Sequence, residues 1–219
     1  LGTMASVEAD TRAYIEGRFT RASAAEREKL VRDWLKKDET AIGITADFER
    51  RVGPLSGLNI LDAGSGNGGT SIALAARGAA VTGVDIEEEL IAIARAQATE
   101  RNSGARFTLY DGATLPFPDA SFDAAVSVSV VEHVDDPVRY FSEILRVLKP
   151  NGHLYLAFPN RLWPKETHTG LWGLSYLPRP LARFYVRIAG RNPLEDNNLH
   201  FYSYWKARRF IRASASGRH

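Results

Sequence analysis

Between residues 59 and 158, short apolar runs alternate with stretches whose apolar side chains recur at helical spacing. Helices are predicted at 70–77, at 87–101 and after Asp136-Pro137, where an N-cap residue precedes a first-turn proline. Strands that alternate with helices form βαβ units, so the pattern predicts a parallel sheet covered on both faces. The runs that predict its five strands are 59–63, 80–84, 106–110, 123–130 and 153–158.

The segments on either side of this alternating region differ in character. Residues 24–51 are charged and helix-favouring, and they predict one or two amphipathic helices with a break near Asp38. Residues 161–197 are rich in Trp, Tyr, Leu, Arg and Pro and do not continue the βαβ pattern. The sequence therefore predicts four parts: an N-terminal helical cap (1–55), an α/β core (56–160), a lid or substrate insertion (161–197) and a C-terminal helix of the core (198–219).

The composition of the 219-residue chain is that of a globular protein, with 44% hydrophobic and 25% charged residues. The chain contains no cysteine, which excludes disulfides, zinc–thiolate sites and thiol nucleophiles. No apolar run approaches the roughly 18 residues of a membrane span, and the N-terminus has no secretory signal pattern. We therefore expect a soluble, cytoplasmic protein.

The net charge of +2 is unevenly distributed along the chain. Residues 1–160 contain 17 Lys and Arg against 23 Asp and Glu, whereas residues 161–219 contain 11 against 3. A basic C-terminal part can attract an anionic substrate, nucleic acid or a membrane surface. Alternatively, the arginines only solvate an apolar helical lid. The sequence leaves both interpretations open.

A glycine-rich turn follows the first predicted strand in the segment NILDAGSGNG (59–68). Glycines permit positive φ and let a ligand approach the backbone closely, and the N–H groups at the start of the following helix add a partial positive potential. Such turns bind nucleotide-like ligands at the carboxyl ends of parallel strands. Because Gly64, Gly66 and Gly69 also satisfy the dinucleotide pattern GxGxxG, the glycines alone do not identify the ligand.

Three acidic residues at strand ends narrow the choice of ligand. Asp62 lies two residues before Gly64, where its carboxylate can meet a cationic amino group. Asp85 ends the second strand and can accept hydrogen bonds from both hydroxyls of a ribose. Asp111 ends the third strand and can accept one from the exocyclic amine of adenine. This arrangement suits a ligand with an amine, a ribose and adenine better than it suits a pyrophosphate.

With these motifs, the chain resembles the class I S-adenosylmethionine-dependent methyltransferases. It is similar to the small-molecule group that includes the ubiquinone-biosynthesis O-methyltransferases. The resemblance covers about residues 56–160 and implies a Rossmann-like three-layer α/β sandwich with strand order 3-2-1-4-5. The matching stretches are ILDAGSGNGG (60–69), VTGVDI (81–86), FTLYDGATLPFPDASFDAAVSVSVVEHVDDP (107–137) and EILRVLKPNGHLYLAFPN (143–160).

The resemblance also implies which residues bind the methyl donor. Asp85 would bind the ribose and Ile86 would lie against the adenine, while Ser127 would line the end of the fourth strand. Two of these residues have simpler interpretations, since Gly68 could only allow tight helix–strand packing and Asp111 could be only a turn residue. The methionine part would be held by Asp62, Gly64, Ser65, Gly66 and Gly68, and the base would be bracketed by Asp111, Gly112 and Ala113.

Methylation of an oxygen atom requires a group that removes its proton, and a base with a pKa near neutral suits that task. His133 follows the fourth predicted strand, and His168 lies in the insertion, so both are candidates for this base. A purely structural role is an equally open alternative for each. Related enzymes sometimes hold a metal with several glutamates near this position. Because Ser129 stands where one such glutamate would be, we predict no metal site.

The sequence thus predicts an enzyme that transfers a methyl group from S-adenosylmethionine to an oxygen nucleophile of a small-molecule acceptor, with S-adenosylhomocysteine as the second product. A nucleic-acid methyltransferase and a non-catalytic donor-binding module are the alternatives. A nicotinamide oxidoreductase is disfavoured, because no Tyr-x-x-x-Lys pattern accompanies the glycines. The sequence leaves open whether the acceptor is acidic or lipid-like, whether the protein contacts a membrane surface and whether it forms oligomers.

The C-terminal part departs from the pattern of the family. There the fifth strand is followed by a helix and an antiparallel hairpin, whereas here a helix predicted at 204–212 leaves only ASASGRH, which is too short for two strands of the usual 5–6 residues. We therefore expect the hairpin to be lacking and the sheet to be five-stranded and wholly parallel. The fifth strand would then be an edge strand, which another segment or a partner subunit should cover.

Overall fold

The predicted strands form one parallel five-stranded sheet in the order β3-β2-β1-β4-β5 in the computed structural model, which confirms the predicted fold. The structure describes residues 4–20, 22–35, 37–164, 170–189, 200 and 202–216. Leu61 in the central strand is paired with Thr82 on one side and with Ala125 on the other. The strands are β1 (Asn59–Ala63), β2 (Ala80–Asp85), β3 (Arg106–Leu109), β4 (Phe122–Val128) and β5 (Leu148–Ala157).

Eight helices and two 3₁₀ turns accompany the sheet in the described residues. The helices that join its strands are α4 (Gly69–Ala75), α5 (Glu88–Glu100) and α6 (Pro137–Val147). The others are α1 (Met4–Arg18), α2 (Ala24–Leu35), α3 (Lys37–Val52), α7 (Arg179–Ile188) and α8 (Tyr204–Ser216), and the 3₁₀ turns are Val131–His133 and Leu174–Tyr176. None of the described helices is long and apolar enough to cross a membrane.

The hydrophobic core forms because the strands and the helices against them carry apolar side chains on their facing sides. Ile60 and Val81 from the sheet pack in one cluster with Leu74 of α4 and Ile91 of α5. Phe48 of α3 belongs to the same cluster, so the third helix of the N-terminal region is part of this core. The core fixes the direction of β1 and β2, and with it the position of the loops that follow them.

Two elements differ from the prediction. Helix α1 was not predicted because its buried positions, Val7, Thr11 and Ile15, are only partly apolar and its other residues are largely polar. Strand β5 begins directly at the end of α6, five residues before the predicted start at residue 153. Residues 149–152, which precede the predicted strand, lie inside β5, and Asn151 has a φ of 64° there.

The chain divides into two compact units. The first unit comprises residues 1–128 and 143–156, and the second comprises residues 129–142 and 157–219. In the second unit, Asn160 and Tyr202 form an isolated parallel bridge, and the Ser214 hydroxyl donates a hydrogen bond to the Val138 carbonyl at 2.7 Å. The predicted division into four parts remains a prediction.

Candidate active site

The glycine turn after β1 is held by backbone hydrogen bonds to β2 and to the residue that ends it. The amides of Gly64 and Ser65 both donate to the Val84 carbonyl, at 2.9 and 2.8 Å. The amide of Gly66, whose φ is 52°, donates to Oδ2 of Asp85 at 2.8 Å. The turn and the acid predicted to bind the ribose are therefore one connected structure.

The glycines of this region are required for different reasons. A β-carbon on Gly68, which has a φ of 87°, would lie 2.8 Å from Cζ of Phe107, and one on Gly83 would lie 2.7 Å from Cδ1 of the same ring. Close helix–strand packing therefore accounts for Gly68, in agreement with its simpler interpretation. A β-carbon on Gly66 would meet no atom within 4 Å among the described residues. The space beside Gly66 is thus available to a ligand.

Asp62 is a buried acid at the carboxyl end of β1, with 1% of its surface exposed. Burial raises the pKa of Asp62 to about 6, the Ser71 hydroxyl opposes this by donating a hydrogen bond to Oδ2 at 2.7 Å, and the negative charge of Asp85 adds to the rise. A cationic ligand group beside Asp62 would favour the ionised carboxylate. Its setting is consistent with the amino-group partner that the sequence predicts.

Asp85 uses most of its acceptor capacity within the protein. Oδ1 accepts the amides of Ile86 at 2.8 Å and Glu87 at 3.2 Å, and Oδ2 accepts the Gly66 amide. An ionised carboxylate offers about four acceptor positions, so these three bonds leave about one. Asp85 can therefore accept a hydrogen bond from one ribose hydroxyl while all three amides keep the carboxylate in place.

The residues predicted to bracket adenine come together from the loops after β2 and β3. The side chain of Ile86 is 60% exposed, and its Cγ2 lies 3.2 Å from the position of a β-carbon on Gly112. Oδ1 of Asp111 accepts the amides of Ala113 and Thr114, both at 2.8 Å. Asp111 therefore has the geometry of a turn residue.

Tyr110 was not predicted as a site residue. It follows β3 directly and links the loop after β3 to the end of β2. Its amide donates to the Asp85 carbonyl at 3.1 Å. Burial raises the pKa of Tyr110 to about 12, and the charges of Asp85 and Asp111 contribute in the same direction. Ser127, predicted to line the end of the fourth strand, is a fully buried residue of β4.

The candidate bases lie in the second unit or outside the described residues. His133 is exposed and ends the 3₁₀ turn, whereas Glu132 beside it is 2% exposed. Neither carboxylate oxygen of Glu132 has a hydrogen-bond partner among the described residues, and burial raises its pKa to about 7. His168 lies outside the described residues. Within those residues, no three His, Asp or Glu side chains are arranged to hold a metal ion.

Glu132 is the most unusual group that the sequence did not single out. Its sequence neighbour His133 was predicted as a candidate base because the histidine side chain ordinarily has a pKa near neutral pH. Glu132 lies in the 3₁₀ turn after β4, three residues beyond Ser129, whose φ is 55°. A buried carboxyl group without a partner is rare in folded proteins and requires an explanation.

Known proteins resemble the chain in sequence and in fold. The family model described as a methyltransferase domain matches residues 61–156. A ubiquinone biosynthesis O-methyltransferase from Xylella fastidiosa is 35% identical over 183 residues, which cover 75% of this chain and 73% of that protein. The chain belongs to the S-adenosylmethionine-dependent methyltransferases. This confirms the predicted family, enzyme class and methyl donor.

Further comparisons limit which properties of the relatives can be transferred to this chain. Other curated relatives with the same name are 34–36% identical to this methyltransferase, and the chain spans about half of their length. An S-adenosylmethionine-dependent methyltransferase from Mesorhizobium loti shares the fold, with a TM-score of 0.58 at 22% identity, covering 77% of this chain and 78% of that one. The [4+2]-cyclase SpnF is 25% identical with a TM-score of 0.59, covering 79% and 56%. The fold therefore supports more than one chemistry.

Proposed function

We propose that this methyltransferase transfers a methyl group from S-adenosylmethionine to an oxygen atom of a small-molecule acceptor. The observation that carries the proposal is the glycine turn of the first unit with two acids beside it, Asp62 in β1 and Asp85 at the end of β2, while Asp111 lies in the loop after β3. The relatives are named O-methyltransferases of ubiquinone biosynthesis, which supports an oxygen acceptor on an apolar molecule.

The residues of the first unit fit the three parts of the donor. The buried carboxyl of Asp62 suits the amino group, and the open space beside Gly66 suits the chain that joins it to the sulfur. Asp85 would take a ribose hydroxyl. The exposed face of Ile86 beside Gly112 would take the adenine. The hydroxyl of Ser65, which is buried and has no partner among the described residues, is a further polar group available at the turn.

The chemistry of transfer requires positioning and removal of one proton. When bound, the donor supplies a methyl group on a sulfonium, and the acceptor oxygen displaces it in line from a distance of roughly 3–3.5 Å. His133 remains a candidate for the base, as does His168. Glu132 joins them, because a carboxylate with a pKa of about 7 is matched to proton removal near neutral pH.

The acceptor is proposed to be lipid-like and to be taken from a membrane surface. On α7, Leu181, Phe184 and Ile188 recur at helical spacing on one side and are all more than half exposed. Arg183 and Arg187 lie on another side of the same helix, as in helices that rest on anionic membranes. An acidic acceptor bound by these arginines is the second candidate. A cytoplasmic location also remains a prediction, which cell fractionation would check.

Titration calorimetry followed by an acceptor screen tests the function. The protein is titrated with S-adenosylmethionine, S-adenosylhomocysteine and NAD, and labelled donor is then incubated with phenols, acids, apolar quinols and RNA. We expect both adenosyl compounds to bind, NAD not to bind, and label to enter a phenol or quinol. Donor binding without transfer to any acceptor would favour a binding module, transfer to RNA would favour the nucleic-acid alternative, and absence of donor binding would refute the proposal.

Two substitutions identify the base once an acceptor is known. If Glu132 removes the proton, Glu132→Gln should lower kcat by about 10²–10⁴-fold and abolish the fall in rate as the pH drops below about 7. His133→Asn is the matched variant one residue away and should then retain most activity. The opposite pair of results would assign the role to His133, and donor affinity should stay unchanged in both variants.

A further inference from the structure

The N-terminal helices contact the donor loops at two points beside the predicted donor ligands. The Tyr14 hydroxyl of α1 donates a hydrogen bond to Oε2 of Glu87 at 2.7 Å, two residues after Asp85. The side-chain amide of Asn67, between Gly66 and Gly68, donates to the Trp34 carbonyl of α2 at 3.4 Å. Each donor loop is therefore attached to a different N-terminal helix, and both attachments lie within the first unit.

Together with two further contacts, these hydrogen bonds connect α1, α2 and the two donor loops in a closed ring. The rings of Tyr14 and Trp34 lie 5.3 Å apart, which joins α1 to α2 beside the two loops. The loops are joined to each other by the bond from the Gly66 amide to Asp85. Four segments that are distant in sequence are thus linked through side chains that flank the donor ligands.

The hydrogen bond from Tyr14 to Glu87 lies beside a cavity of about 670 Å³ that is lined by residues of both α1 and α5, with Tyr14 and Glu87 among the lining residues. Burial raises the pKa of Tyr14 above its usual range, and the bond to Glu87 contributes in the same direction, so the phenol remains a proton donor at physiological pH. The cavity is lined on α1 by Asp10, Ala13, Tyr14 and Gly17, and on α5 by Ala92 and Ile93.

We propose that Tyr14 and Glu87 act as a positioning pair that sets donor affinity by holding the loop of Asp85 in its binding geometry. Neither side chain needs to touch the donor. The Glu87 amide is one of the three that orient the Asp85 carboxylate, so an anchored Glu87 keeps that carboxylate ordered before binding. A loop that is already ordered in the free protein loses less conformational entropy when the ligand binds, so binding is tighter. The inference rests on the proposed function, because the ligand is the methyl donor.

Titration calorimetry with S-adenosylhomocysteine, which binds without turnover, tests this pair in the full chain. Tyr14→Phe keeps the ring contact and removes the hydrogen bond, so we expect donor Kd to rise about threefold to tenfold. Glu87→Leu should give the same increase, and the double variant should be no worse than either single one. Glu87→Gln keeps an acceptor for the phenol and should bind within twofold of the unsubstituted protein.

A matched control separates this positioning role from general weakening of the N-terminal helices. Arg12 of α1 forms an ion pair with Glu28 of α2 without contacting a donor loop, so Arg12→Gln should lower thermal stability and leave donor Kd unchanged. An unchanged Kd in Tyr14→Phe, or an equal rise in Arg12→Gln, would overturn the inference. Failure of the unsubstituted protein to bind S-adenosylhomocysteine would instead refute the proposed function.

Discussion

The two units of this methyltransferase present different surfaces. In the first, polar groups at the strand ends are oriented by backbone amides, as Asp85 is by three of them. In the second, large apolar side chains face solvent: of thirteen such residues exposed among those described, ten belong to it. Polar groups in fixed positions select one ligand by its pattern of hydrogen bonds, whereas an exposed apolar surface can contact many different apolar ligands. We infer that the first unit fixes the donor and that the second determines the acceptor.

The strongest test of this comparison is Asp85→Ala in the first unit. Loss of hydrogen bonds to the ribose should weaken donor binding by roughly 1.5–3 kcal/mol, or about ten- to a hundredfold, as expected for bonds to a charged group. Calorimetry gives the affinity, and circular dichroism checks that the fold persists. Glu88→Ala, which replaces an exposed acid at the start of α5, should bind the donor normally. Unchanged affinity in a folded Asp85→Ala variant would remove this residue from the donor site.

Glu132→Gln tests the buried carboxyl of the second unit through the pH dependence of stability. The folded pKa of about 7 lies above the unfolded value, so the protonated form stabilises the fold at low pH and this contribution is lost as the pH rises through 7. We expect the variant to gain about 1–3 kcal/mol of unfolding free energy at pH 8.5 and little at pH 5. Denaturant titrations at the two pH values measure this.

A Glu132→Gln variant that was equally destabilised at both pH values would contradict this account, because it would show that the carboxylate has a stabilising partner. Asp62 also has a raised pKa and produces a loss of stability in the same direction, which is complete once the pH has risen through about 6. The part of the loss that persists in Glu132→Gln should therefore move to the lower pH.

Ser71→Ala is expected to have a smaller effect, confined to the first unit. Its hydroxyl donates to Asp62 and holds the pKa of that acid down, so its loss should raise the pKa of Asp62 further above 6. If Asp62 binds the donor amino group as a carboxylate, donor affinity rises with pH through this pKa, and the midpoint should shift upward in the variant. Calorimetry between pH 5 and 8 measures the midpoint. Thr70→Ala is the matched control, and an unshifted midpoint would argue against the role of Asp62.

The smallest change in stability is expected on the apolar side of α7. Leu181→Ser should alter the unfolding free energy by less than about 0.5 kcal/mol, because the side chain is exposed, but should reduce cosedimentation with anionic vesicles severalfold. Val186→Ser is the control on the buried side of the same helix and should cost about 1–3 kcal/mol. A large loss of stability in Leu181→Ser would mean that this side is covered in the folded protein.

The order of the sheet could be predicted because each strand contains a short apolar run and the family resemblance supplied the strand order. Helix α1 could not, because its buried positions, Val7, Thr11 and Ile15, do not stand out from a polar sequence. The start of β5 was placed too late because a Pro-Asn-Gly sequence is typical of a turn, and here it forms a bend within a strand.

The candidate donor residues could be named because they cluster in three short motifs. The residues that contact those motifs from the N-terminal helices could not be named from the sequence. Tyr14 contacts Glu87 across 73 positions in sequence, and Asn67 contacts Trp34 across 33. Such contacts depend on the packing of whole helices, which a local pattern does not encode. The isolation of Glu132 also escapes prediction, because it depends on how its side chain is enclosed.

The ring of Phe107 has a consequence for how this sequence can change over time. It fills the space that a β-carbon would need at both Gly68 and Gly83, two positions in different elements. A smaller residue at 107 would remove only this clash, because Cβ of Ala94 lies 2.9 Å from the β-carbon position at Gly68 and Cβ of Ser65 lies 2.8 Å from the one at Gly83. Gly68 also has a φ of 87°, which a residue with a β-carbon rarely adopts. Among homologues both glycines should therefore persist even where residue 107 is smaller, because each position is filled by more than one neighbour.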